Sequence, residues 1–105
     1  MWFVLSSDKV YVKVFRHREG VVLAICDPEL IGKKFREGKR KLEVSAKFYK
    51  GQLVSVEEAI NMIAKADIIN IVGVKVIGEL LKRRIIPEDA VISIGGVPHI
   101  QLIKV

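Results

Sequence analysis

The period of the hydrophobic pattern changes once along this chain, and that change limits the fold more than any other feature. Residues 2–5, 10–15 and 21–26 are runs of β-branched and aromatic side chains, separated by Ser6-Ser7-Asp8-Lys9 and by Arg16-His17-Arg18-Glu19-Gly20. Runs of that length between polar, Gly-containing breaks read as strands and turns, so the start of the chain is expected to be an antiparallel meander. Within residues 10–15, Val10, Val12 and Val14 share one face while Tyr11, Lys13 and Phe15 share the other, so both faces carry apolar weight.

The helical period begins at Ser55-Val56-Glu57-Glu58, a capping box in which the Ser hydroxyl accepts from the third helical amide and Glu58 reaches back. A helix is expected over residues 56–66, with Val56, Ile60 and Ile63 on its apolar face. Residues 67–72 are β-branched and read as a buried strand, although Ile68, Ile69, Val72 and Val76 also fit a helical stripe. Val74, Ile77, Leu80, Leu81 and Ile85 mark a second helix that Pro87-Glu88-Asp89 breaks, and residues 91–94, Gly95-Gly96 and 99–105 form a closing hairpin. Between the halves, Asp27-Pro28-Glu29-Leu30-Ile31-Gly32 reads as a short helical turn capped by Asp27 and ended by Gly32. A strand follows at residues 42–44, and the connection holding Phe48, Tyr49 and Gly51 has no clear period. The expected class is α+β (mixed α/β): a single domain, residues 1–105, with an N-terminal meander, helix-strand-helix, a C-terminal hairpin, and one mixed sheet under two helices.

Charge is as unevenly distributed as the periodicity. Residues 1–50 hold 12 Lys and Arg against 6 acids, whereas residues 51–105 hold 6 against 6, so the net charge of +6 belongs to the first half. One-sided charge creates a field that attracts polyanions, which interspersed charge does not. Lys33, Lys34, Arg36, Lys39, Arg40 and Lys41 crowd nine positions with Glu37 as the single acid. Several flexible cations on one surface suit phosphate, Arg by two-point bonding and Lys as a point charge. Gly32 and Gly38 would let backbone approach a ligand, Arg16 and Arg18 would extend the surface, and Phe35, Phe48 and Tyr49 are candidate stacking platforms, although residues of this kind are more often core than platform. Lys82-Arg83-Arg84 is explained by the helix dipole.

Catalytic signals are weak. Cys26 and His99 could pair as thiol and base, with Asp27 nearby, but Cys26 ends an apolar strand where a thiol is usually inert packing. Gly95, Gly96, Pro98 and His99 have the parts of a small-ligand loop and equally those of a hairpin turn. Asn70-x-x-Gly73 before a helix could offer amides to a phosphate, without the glycine fingerprint of a nucleotide site. His17, His99 and one Cys give no ligand spacing, so neither metal nor cofactor is expected. The opening residues are too short for a signal-peptide core and no run reaches the length of a membrane span, so a cytoplasmic chain without membrane contact is expected. The Lys, Arg and Glu content, with only Gln52, Gln101, Asn61 and Asn70 as amides, has a thermophilic balance.

Cys26-Asp27, Leu30, Gly32-Lys33, Phe35, Glu37-Gly38, Phe48-Tyr49-x-Gly51, Asn70-x-Val72-Gly73 and Gly96-Val97-Pro98-His99-x-Gln101 together resemble the archaeal "domain of unknown function 424" family over residues 10–101. Residues 1–9 extend beyond the usual family start. The resemblance implies an archaeal cytoplasmic protein and supplies no activity. The charge then makes RNA or another polyanion the expected partner, in a translation accessory protein associated with ribosomal or transfer RNA. A ligand-binding protein or enzyme using Gly95 to His99 with Cys26 or Asp27, or an interaction module that pairs with a protein or with itself, is the alternative.

Overall fold

The computed structural model describes residues 9–104, so the strand expected at residues 2–5 lies outside the described residues. The first meander pair is β1 (Lys9–His17) and β2 (Gly20–Cys26), antiparallel in a register that sets His17 opposite Gly20 and narrows the turn to Arg18-Glu19. The basic run then forms a hairpin of its own, β3 (Lys34–Glu37) and β4 (Arg40–Glu43). After α1 (Ala46–Tyr49) and β5 (Gln52–Ser55), the chain alternates through α2 (Val56–Ile63), β6 (Ile68–Val72) and α3 (Val74–Lys82), then closes with β7 (Ile92–Ile94) and β8 (Val97–Ile103).

Six strands make one mixed sheet in the order β5-β1-β2-β6-β8-β7, in which β2 and β6 are parallel and the other pairs antiparallel. Parallel neighbours need a crossover, and here the connection carries the basic hairpin, α1, β5 and α2. The mixed sheet, its two covering helices, the strand between them and the closing hairpin are as the pattern predicts, but the helices end at Ile63 and Lys82, short of the expected 66 and 85, and β8 begins at Val97, including Pro98, rather than at 99. The two-stranded second sheet and the third, short helix are additions to it.

Alternation divides the sheet into two faces. Val10, Val12, Leu23, Ile25, Ile69, Ile71 and Ile100 point to one side, where Ala59 of α2 and Val76, Ile77 and Leu80 of α3 close over them. The opposite side carries Ala24, Cys26, Val72 and Val97, covered at one end by Leu42 and Val44 of the hairpin arm and by Tyr49 of α1. Helix starts follow the local chemistry. Ser55 Oγ accepts from Glu58 N at 3.0 Å, as the capping box requires, and Ser45 Oγ accepts from Phe48 N at 3.2 Å to start α1. No helix among the described residues is long and apolar enough to cross a membrane.

Candidate nucleic-acid interface

The two residues at the tip of the basic run set its shape. Gly38 takes φ +60°, so Gly38-Lys39 closes a two-residue turn with a left-handed first position, and the strands on either side pair Glu37 with Arg40, Arg36 with Lys41, Phe35 with Leu42 and Lys34 with Glu43. Alternation sends Phe35 and Leu42 inward against Val72, Ile94 and Val97, and sends Lys34, Arg36, Lys41 and Glu43 outward. The ladder continues to the base of the arm, where Gly32 N donates to Val44 O at 2.7 Å and Val44 N donates to Lys33 O at 2.9 Å. Lys33, Lys34, Arg36, Lys39, Arg40 and Lys41 are all exposed, and the structure brings all six together on one short arm.

None of the six forms an ion pair among the described residues; the pairs found join Lys75 to Glu29 and Arg83 to Glu57 and Glu79. Arg36 and Lys41 face each other directly across the hairpin, an arrangement of like charges that weakens an isolated sheet. Glu37 is occupied elsewhere. Its Oε1 accepts from Gly95 N at 2.9 Å, fixing the arm to the β7–β8 turn, with Phe35 packed beside the same glycine.

Beyond the arm, the sheet face opposite α2 and α3 is partly uncovered. Register places Lys13, Ala24, Asn70 and Gln101 in one row across β1, β2, β6 and β8, and Phe15, Val22, Ile68 and Ile103 in the next; Ala24 is fully buried under α1, Asn70 and Ile68 are half-buried, and Gln101 and Ile103 at the β8 side are exposed. Phe15 stacks on Phe48 with ring centroids 5.1 Å apart, and Lys13 Nζ lies 5.4 Å from the Phe15 centroid while donating to Lys47 O. The six strands contain no Asp or Glu, whereas the covering helices carry Glu57, Glu58 and Glu79. Of the expected platforms, Tyr49 is buried and Phe35 half-buried in the packing under the arm, and Phe48 is half-buried against Phe15. The sequence reading did not single out Phe15, Asn70 with Gln101, or Lys13 as one surface, because only the register brings them together.

The remaining candidates are placed as follows. Arg16 and Arg18 sit at the Gly20 end of β2, roughly 20 Å along the strand from the end that leads into the arm, so they do not join its cations. Cys26 is fully buried, its Sγ lies 3.1 Å from Asp27 O, and burial first, then the Asp27 and Glu29 charges, push its thiol up to about 12. His99 is two strands away, with Val72 of β6 between, and burial lowers its pKa. These two groups form no nucleophile-base pair.

Asp27 does not cap the helical turn that follows it. Its buried carboxylate reaches α3 instead, accepting from Val74 N at 2.9 Å and Lys75 N at 3.4 Å. Gly73, with φ +112°, has no side chain to cap α3, and a Cβ there would collide with the Asp27 carboxyl group. The amides after Asn70-x-x-Gly73 are therefore committed to an internal carboxylate. Desolvation raises the Asp27 pKa despite the opposing bonds from those amides. Gly95 and Gly96, both at positive φ, make the hairpin turn, with Gly95 N held by Glu37, and Pro98 O accepts from Gly73 N at 2.9 Å. Arg83 is bound to Glu57 and Glu79, and Arg84 ends α3 in the left-handed conformation. Among the described residues no three His, Cys, Asp or Glu side chains converge on a point that would hold a metal.

Fold and site together define a mixed α/β protein with a cationic hairpin laid against one end of an open sheet face. The chain belongs to the family described as "Protein of unknown function (DUF424)", whose model matches residues 15–105. Among solved structures it is similar to an uncharacterized conserved protein from Methanopyrus kandleri, with 26% identity over 92% of this chain and 94% of that one and a TM-score of 0.75. Comparison with curated proteins finds no match.

Proposed function

We propose that this protein binds RNA through the β3–β4 arm, as an accessory protein associated with ribosomal or transfer RNA in an archaeal cytoplasm. The observation that carries the reading is the arm itself: six exposed cations on one hairpin, none paired with a carboxylate among the described residues, and two of them directly opposed. A phosphate backbone is the partner that relieves such an array, since it places negative charges at spacings that several cations can meet at once. Departures from local packing rules are concentrated where proteins bind something.

Salt titration tests the proposal. Neutralising about five phosphates gives a slope of roughly −3.5 to −4.5 for log affinity against log salt. A flat profile removes RNA from consideration. Co-purification from an archaeal lysate, with and without nuclease, then tests the association: ribosomal or transfer RNA should be retained without nuclease, and its absence would rule out the translation assignment.

A further inference from the structure

We infer that the uncovered β6–β8 part of the sheet face takes the unstacked bases of single-stranded RNA, with Asn70 and Gln101 reading base edges beside the arm that holds the phosphates. The inference rests on the RNA reading above and adds to it a substrate class and a specificity-determining pair.

The geometry points there in three ways. Asn70 and Gln101 are direct partners in the β6–β8 register and project from the same face, one row along from Val72, on which the arm packs. Neither makes a side-chain hydrogen bond among the described residues; Gln101 is exposed, and Asn70 beside it is half-buried with no polar atom sealed from solvent. Beside them runs an apolar row ending in Ile103, which is 64% exposed.

Charge and shape select the occupant. A six-stranded face with no carboxylate, next to a cationic arm, favours a polyanion over a neutral or basic protein surface. A sheet face cannot enter the deep, narrow major groove of an RNA duplex, whereas splayed bases lie readily on such a surface. Side-chain amides supply both a donor and an acceptor, the combination needed to tell one base edge from another. The apolar row offers the bases a floor that stacks or packs without sequence demand.

The test compares short single-stranded homopolymers of each base with a blunt RNA duplex, by fluorescence anisotropy on the full chain. Single strands should bind about tenfold tighter than duplex, with affinities that spread among the four bases. Gln101→Ala, at an exposed position, and Asn70→Ala with it should collapse that spread while leaving the salt slope unchanged. Equal binding of duplex and single strands, or a spread indifferent to both substitutions, overturns the base-reading face and leaves the phosphate-binding arm standing. Failure of every RNA to bind at low salt overturns both readings. A dimer in sedimentation without RNA that Ile103→Lys abolishes would assign the face to a second copy and overturn the inference.

Discussion

Two places in this molecule concentrate positive potential, the N-terminus of α3 and the β3–β4 arm, and the chain treats them in opposite ways. At α3 the free amides meet a carboxylate brought 47 residues along the chain, and a glycine at the capping position leaves it room. At the arm, none of the six cations forms an ion pair among the described residues, although Glu43 stands opposite Lys34, and Glu37 is drawn off to Gly95. The helix end is thus neutralised from within, which makes it part of the fold. The arm's charge is not neutralised from within in this way, which is why its proposed partner lies outside the chain.

The largest effect should come from removing the arm's charge. Replacing Lys39, Arg40 and Lys41 by Ala should cut RNA affinity about a hundredfold at moderate salt and make the salt slope shallower by roughly 2 to 3. Urea unfolding of the same variant should shift by no more than about 0.5 kcal/mol, because all three residues are exposed. A large loss of stability instead would make the arm structural and erase the contrast.

Asp27 tests the other side. Asp27→Ala strands the Val74 and Lys75 amides and should cost about 1–3 kcal/mol, with RNA affinity unchanged. Asp27→Asn keeps an acceptor and sheds the charge. Because burial raises the folded-state pKa above the ordinary 3.8, ionising Asp27 weakens the fold. This group's share of stability is therefore full below that value and declines as pH climbs through the raised one. The Asn variant should lack that decline, measured by denaturant midpoints across the acid range.

The smallest effect belongs to the far end of α3. Arg84→Gly relieves a left-handed backbone and should raise stability by about 0.5–1 kcal/mol without altering RNA affinity. A loss of affinity would show that this cation, too, belongs to the interface.

Strong local periodicity made β1, β2 and α2 legible, β6 was read as a strand against a competing helical stripe, and the Ser55–Glu58 capping box located the start of α2 to the residue. The arm was not legible as strands because only Phe35 and Leu42 face inward, too few for alternation to stand out among charges. The cations were plain in the sequence, but their backbone was not. Asp27 satisfied a local capping rule so well that its distant helix could not be guessed from spacing. The Asn70–Gln101 pair is a product of strand register, which is set by the whole sheet and by no stretch of it.

The single bond from Gly95 to Glu37 has a mechanical consequence. Without it the arm would be anchored at its base and by two inward side chains, and its tip could swing; with it, the arm is braced at both ends of β3. A braced hairpin holds the backbone of its cations in place before any partner arrives, so less chain freedom is forfeited on association than with a waving tail of equal charge, while the Lys and Arg side chains still adjust to the partner.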